Sequence, residues 1–187
     1  MIENLSIETN RLLIRSYIKG DYENWLKEHM GRKPAQNLYD NGYKDMSLST
    51  EKWFVEWISH FHERALKDEM YVLGVFRKED GVHVGKIELF RVLRMDYQWA
   101  MMGYSIHNQY WRNGYGLESV VAAKNMFYKK LGFHRIELHI NTDNHPSIQL
   151  AKKAEFQFEC TRRGFSYEDE KWQDLLIYYQ NKEECEK

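Results

Sequence analysis

A chain of 187 residues suits one domain, long enough to bury most of the surface that its unfolded form exposes. Hydrophobic residues make up 43% of it and aromatic residues 15%, which excludes a disordered chain. The 27 basic and 28 acidic residues nearly cancel, so no global charge draws the protein to nucleic acid or to an anionic membrane.

Residues 11–18 alternate apolar and polar side chains and predict a first strand. Asp21 caps a short helix carrying Trp25 and Leu26. Residues 30–48, with Gly31, Pro34, Asn37, Asn41 and Gly42, read as an irregular loop. Ser49 or Thr50 starts a second helix, in which Trp53, Phe54, Trp57, Ile58, Phe61 and Ala65 recur at helical spacing and read as core. Strand-like runs follow at 71–76, 82–90 and 97–106, and Glu79-Asp80-Gly81 joins the first two into a hairpin.

The segment Trp111-Arg112-Asn113-Gly114-Tyr115-Gly116 is the most informative of the chain. It sits between the apolar run 102–106 and an amphipathic helix over 114–131, which carries Leu117, Val120, Val121, Phe127 and Leu131 on one face and stops at Gly132. A glycine turn between a strand and a helix N-terminus offers several backbone N–H groups to one small volume. The helix dipole favours an anion there, and the glycines let a phosphate approach the backbone. This segment is therefore a candidate site for a phosphorylated cofactor. A strand over 135–141, a helix from Asn144-His145-Pro146 to about residue 154, and strands over 156–163 and 172–180 complete the chain. The order β-α-α-β-β-β-α-β-α-β-β describes a mixed α/β unit over 1–187, with no repeat or linker. Cys160 and Cys185 make neither a spaced metal motif nor a disulfide framework. No run approaches the ~18 apolar residues of a membrane span, and Met1-Ile2-Glu3-Asn4 lacks signal-peptide character. A cytoplasmic protein with no metal and no membrane partner is the expectation.

Four stretches carry a resemblance. They are Thr9-Asn10-Arg11-Leu12-Leu13-Ile14-Arg15, Tyr110-Trp111-Arg112-Asn113-Gly114-Tyr115-Gly116-Leu117-Glu118-Ser119, Leu131-Gly132-Phe133-His134-Arg135-Ile136-Glu137-Leu138, and Asn144-x-x-Ser147-x-x-Leu150-x-Lys152-Lys153-x-x-Phe156. Together they resemble the GNAT family of acetyl-CoA-dependent N-acetyltransferases, and within it the RimJ/RimL type, which includes ribosomal-protein N-terminal acetyltransferases. The match is specific over 103–162 and rests mostly on element order over 8–100. The resemblance implies an α/β (α+β) GNAT fold, with a mixed, mostly antiparallel central sheet flanked by helices and an acetyl-CoA cleft between splayed central strands. It implies acetyl-CoA as co-substrate, with Trp111, Arg112, Asn113, Gly114, Tyr115 and Gly116 around its pyrophosphate and Asn144 and Ser147 beside its thioester. It also implies an amine acceptor, either a protein N-terminus or a small amine; a homodimer is common in the family. Ser147 inherits the role of protonating the departing thiolate; read from the residues alone, it equally serves as a first-turn serine satisfying helix N–H groups. Three positions depart from the family pattern. Glu155 replaces a glycine, Met101 replaces an acid, and Ala151 replaces the tyrosine acid of other branches.

An amine attacks a thioester only when uncharged. A protein α-amine with a pKa near ~8 is roughly one-tenth neutral at pH 7, whereas a lysine amine near ~10.4 is neutral in about one molecule in a few thousand. Candidate bases are Glu88, His139 and His107. Strand alternation leaves Glu88 facing either the cleft or solvent, and His139 serves as a base or as a structural strand histidine. Trp25, Tyr39, Tyr43, Trp53 and Trp57 line an acceptor groove or fill core, and Glu168-Asp169-Glu170 attracts a cation or forms a solvated turn. Three rivals remain open. Gly114-Tyr115-Gly116-Leu117-Glu118-Ser119 with Asp143 approximates a dinucleotide-binding pattern. Glu88 and the 172–179 segment also resemble polyamine acetyltransferases, and a non-catalytic acyl-CoA sensor would keep the same cleft.

Overall fold

A computed structural model describes residues 5–184. Eight strands form one sheet: β1 (Ser6–Glu8), β2 (Leu12–Ser16), β3 (Met70–Arg77), β4 (His83–Leu93), β5 (Trp99–Ile106), β6 (Arg135–Asn141), β7 (Gln157–Glu168) and β8 (Lys171–Asn181). Its spatial order is β1-β2-β3-β4-β5-β6-β8-β7. Helices α1 (Tyr22–Met30) and α2 (Glu51–Leu66) cover one face, and α3 (Tyr115–Leu131) and α4 (His145–Lys153) cover the other.

Strand periodicity explains the layering. Leu73 and Val75 of β3, Ile87 and Leu89 of β4, and Ile136 and Leu138 of β6 turn to one side. There they pack with Val120, Ala123 and Phe127 of α3 and Ala151 of α4. Val72 and Phe76 turn to the other side, against Trp25, Phe54 and Ile58. Core strands covered on both faces read as nearly continuous apolar runs, which is why 71–76 was legible as a strand without clean alternation. The helix stripe through Phe54, Trp57, Ile58 and Phe61 packs in this second core, the role its spacing predicts.

Several local expectations change. β1 escaped the sequence reading because three residues are too short to show a period; it pairs with β2 from Ser6↔Arg15 to Glu8↔Leu13. Asp21 does not cap α1. Its carboxylate takes a two-pronged bond from Arg15 at 2.7 Å and the Ile18 N–H at 2.9 Å, inside a 3-10 turn that precedes the helix. Of the two candidates for the α2 cap, Thr50 serves: its hydroxyl accepts the Trp53 N–H at 3.2 Å. Glu155 adopts φ 65°, so a side chain sits where the family glycine relieves strain, at a cost of about 1 kcal/mol. Glu168-Asp169-Glu170 lies at the tip of the β7–β8 hairpin, with Asp169 and Glu170 both at positive φ.

One interruption positions everything that follows. β5 and β6 are the parallel pair of the sheet, and they pair only from Trp99↔Arg135 to Met101↔Glu137. β5 then runs on to Ile106 and β6 to Asn141 without bonding each other, while beyond the fork β4 and β8 hold their outer edges in register. The sheet therefore forks at Met101 and Glu137. A largely antiparallel sheet with this single parallel contact overturns the dinucleotide-binding alternative, which needs a doubly wound parallel sheet. Among the described residues, no helix is long and apolar enough to cross a membrane.

Candidate active site

The turn that opens α3 stands at the mouth of the fork. After β5 come a 3-10 turn over Asn108–Tyr110, extended Trp111, Arg112 at φ 65° and Gly114 at φ 81°. The loop's polar groups are tied down from behind. Trp111 Nε1 donates to the Ile106 carbonyl at 2.7 Å, and Asn113 Nδ2 donates to the carbonyls of Tyr110 and Trp111 at 3.0 and 3.2 Å. Arg11 Nη1 donates to the Asn113 carbonyl at 2.9 Å, and its Nη2 pairs with Glu118 at 2.6 Å. Glu118 also accepts from the Thr9 hydroxyl and the Arg11 N–H, so the β1–β2 turn is bolted to the first turn of α3. Both partners lie in stretches singled out in the sequence; that they meet was not legible there.

These ties leave one set of groups facing out. The Glu118 N–H makes the first helical bond, to the Gly114 carbonyl at 3.1 Å, so the amides of Tyr115, Gly116 and Leu117 stand at the helix's free end. Arg11 neutralises Glu118, and the helix dipole then acts on an approaching anion without a local opposing charge. Gly116 lets α3 approach α4: a β-carbon there would stand 3.0 Å from Leu150 Cδ1. This cradle fits a diphosphate.

Inside the fork, Tyr104 of β5 reaches across to α4, its hydroxyl donating to the Ser147 carbonyl at 3.4 Å. Burial pushes the Tyr104 phenol up to about 12, so it stays protonated at neutral pH. Asn144 caps α4 by accepting the Ser147 N–H at 3.3 Å. The capping role considered for Ser147 thus belongs to Asn144, and the Ser147 side chain stands within hydrogen-bonding reach of the Tyr104 phenol. Ala151 is fully buried in the core and takes no part in the cleft. Tyr104 was missed by the sequence reading because it sits in an apolar strand run; its place just before the glycine turn was the available signal.

The opposite face of the sheet carries the titratable groups. Glu88 turns to the α1–α2 side with Lys86, whose Nζ lies 2.6 Å from Oε1. It leans over β5 at Gly103, where a β-carbon would lie only 3.6 Å from Oε2. Glu88 therefore lies on the α1–α2 face, against the strand that borders the fork. His139 lies on β6, its Nε2 2.8 Å from Glu137 Oε2. Glu137, 1% exposed, also accepts Arg135 Nε at 2.8 Å and lies 3.3 Å from Arg162 Nη2. Burial works to raise the Glu137 carboxyl, but hydrogen bonds from His139 and Arg135 and the charges of Arg135 and Arg162 outweigh it. The net effect holds this carboxyl below the usual range. Glu137 read as part of a strand motif, and its role escaped notice; its signal was an acid two residues from a histidine, hence on the same strand face. It stands in register with Met101, so the fork has a carboxylate at the level where Met101 lacks one.

His107 is not available as a base. It is 4% exposed and hydrogen-bonded to His83 at 3.2 Å, with burial, His83 and His29 all pushing its pKa down. Among the aromatic candidates, Trp25 and Trp57 fill the second core, while Tyr39 hydrogen-bonds Asp143.

Removing the Glu137 charge leaves Arg135, Arg162 and His139 short of a shared partner. Glu137→Gln is expected to lower stability in urea unfolding by about 2 kcal/mol, less than for a fully buried pair, because the carboxylate is buried while its partners Arg135 and Arg162 are 21% and 27% exposed. Because the folded carboxyl is lowered, its contribution is complete above the unfolded pKa near ~4.3 and is lost as pH falls below it. The variant should lose stability less steeply than wild type between about pH 5 and pH 3; parallel acid slopes would refute this role.

Comparison with known proteins agrees with this layout. The family described as Acetyltransferase (GNAT) domain matches residues 11–157. The Bacillus subtilis protein named "Probable N-acetyltransferase YjcK" is 30% identical over 120 residues, 64% of this chain and 66% of that protein. The match thus spans just under two thirds of that relative's length. A candidate ribosomal-protein-serine acetyltransferase from Vibrio cholerae superposes with a TM-score of 0.77 at 21% identity, covering 97% of this chain and 99% of that one. RimJ of Mycobacterium smegmatis, solved with CoA-disulfide, gives 0.76 at 18% identity over 92% of this chain and 83% of that one. At these identities the structural likeness speaks for the fold.

Proposed function

We propose, from the premise that the chain belongs to the GNAT acetyltransferase family, that it transfers an acetyl group from acetyl-CoA to the α-amine of a protein or peptide N-terminus. The observation that carries this reading is the juxtaposition of the free α3 amides with the β5–β6 fork. Residues 111–116 would hold the diphosphate and aim the acyl sulfur into the fork beside Asn144 and Ser147. Bound acetyl-CoA supplies the activated acyl group; the chain supplies position and proton movement.

His139 takes the proton from the attacking amine. Glu137 fixes its ring through Nε2, which leaves Nδ1 free of hydrogen bonds among the described residues. Glu88 attracts the amine while it is still cationic and holds it over Gly103. The Ser147 hydroxyl gives a proton to the departing sulfur. Two features favour an α-amine over a lysine. The first is its larger neutral fraction at pH 7, worth about 3 kcal/mol. The second is the naming of two structural neighbours, a ribosomal-protein-serine acetyltransferase candidate and RimJ.

The test is CoA release with a panel of acceptors. N-terminal peptides are expected to show kcat/KM at least ~10-fold above spermidine, an aminoglycoside, and the same peptides with a blocked N-terminus and a free lysine. Release only with the small amines would move the assignment to a small-amine acetyltransferase. Tight acetyl-CoA binding with no release to any acceptor would leave a non-catalytic acyl-CoA sensor.

A further inference from the structure

We infer that His29, His83 and His107 form a metal site that takes a single Zn²⁺, outside the acetyl-transfer cleft. His29 comes from the last turn of α1, His83 opens β4, and His107 follows β5. They are far apart in the chain, so no sequence spacing announces them, and the expectation of a chain without metal rested on cysteine usage alone. The fold brings one ring nitrogen of each within 4.8 Å of the others.

The geometry is close to what zinc requires. Zn–N bonds of about 2.0–2.1 Å in a tetrahedron set neighbouring nitrogens roughly 3.4 Å apart. His83 Nδ1 and His107 Nε2 already stand 3.2 Å apart. The ring of His29 lies edge-on to that of His107, with centroids 4.6 Å apart, and a small rotation completes a third corner. Two of the rings are held from behind in the manner of metal-binding imidazoles, whose second nitrogen is fixed by an outer partner. His29 Nδ1 lies 2.8 Å from the Trp25 carbonyl, and His83 Nε2 lies 2.8 Å from the Tyr17 hydroxyl. These partners leave His29 Nε2 and His83 Nδ1 facing the cluster. His107 turns Nε2 into the cluster, and its other nitrogen, Nδ1, is buried without a partner.

The chemistry of the donors selects the ion. Three imidazoles without a carboxylate or thiolate suit zinc, cobalt, nickel or copper and exclude magnesium and calcium. Burial holds all three rings in the neutral form that carries a lone pair, pushing His29 down to about 4 and His83 to about 3. Arg32, Arg15 and Lys86 act on the same rings. Their positive charge favours an anion, hydroxide or chloride, in the fourth position. A metal held there ties α1 to the sheet at the residue just before the Asn108–Tyr110 turn, which leads into the diphosphate loop.

Protein without a polyhistidine tag, stripped with EDTA and dialysed, is titrated with ZnCl₂ by calorimetry and with CoCl₂ by visible absorption. One Zn²⁺ per chain is expected, with Kd below ~1 µM, together with the visible bands of tetrahedral cobalt and no response to MgCl₂. His29→Gln and His107→Gln should each weaken zinc binding at least ~100-fold, while the exposed His145→Gln should not. Because a buried substitution can cost the fold, the imidazole ¹⁵N shifts of the wild-type protein are followed as well. Zinc should move those of His29, His83 and His107 and leave His60, His62 and His134 in place. Kd weaker than ~100 µM, binding indifferent to His29→Gln, or shifts confined to other histidines would each overturn the site.

Discussion

Gly114→Val is expected to weaken acetyl-CoA binding by ~30- to 100-fold while leaving the protein folded, as measured by calorimetry. Two effects combine. Gly114 holds φ 81°, where a β-branched side chain costs about 1–2 kcal/mol. A β-carbon there would also stand 3.2 Å from Arg11 Nη2, so Arg11 must give way. That shift, a few tenths of an ångström, loosens the contacts of Arg11 to the Asn113 carbonyl and to Glu118, beside the amides that would receive the diphosphate. Gly132→Val separates the two effects. Gly132 closes the same helix at φ 69° with nothing within 4 Å of its added β-carbon. It should lose comparable stability and keep its affinity. Equal affinity in both variants would mean that the turn does not hold the coenzyme.

This contrast shows how far the sequence could be read. The Gly114 turn was legible because backbone conformation is written in local residue type: two glycines, a preceding apolar run and a following amphipathic one. The same holds for the Gly81 hairpin and the Gly132 stop, both at positive φ in the structure. The fork was not legible from periodicity. It arises where two strands that read alike, 97–106 and 135–141, pair for three residues and then part, and pairing partners are a non-local property. Only the family resemblance anticipated it. The direction of Glu88 stayed open for a related reason: alternation gives two faces but does not say which one the helices α1 and α2 leave accessible. Glu137 and the three clustered histidines were invisible because their meaning lies in what they touch across strands, not in their neighbours along the chain.

The division of labour between His139 and Glu88 is open to a sharper test than loss of activity. If His139 removes the proton and Glu88 only gathers the amine, the two substitutions should act on different kinetic constants. His139→Gln should lower kcat by ~100-fold or more with little change in the KM for a peptide acceptor. It should also erase the limb of the kcat/KM pH profile that reports ionisation of the base. Glu88→Gln should raise that KM by ~10-fold with a smaller effect on kcat, because one charge-assisted contact to the amine is worth about 1.5 kcal/mol. Glu137→Gln should resemble a weak His139 variant, since the ring keeps its nitrogens but loses the partner at 2.8 Å that orients it. The reverse pattern, with kcat falling in Glu88→Gln and KM rising in His139→Gln, would hand the base to Glu88. That outcome has a structural route of its own: the carboxylate stands over Gly103, on the strand that borders the fork, with no side chain between. The paired ammonium of Lys86, 2.6 Å from Glu88, argues against it, because it already holds one oxygen of that carboxylate, whereas Glu137 orients the His139 ring through Nε2 and leaves Nδ1 to meet the amine.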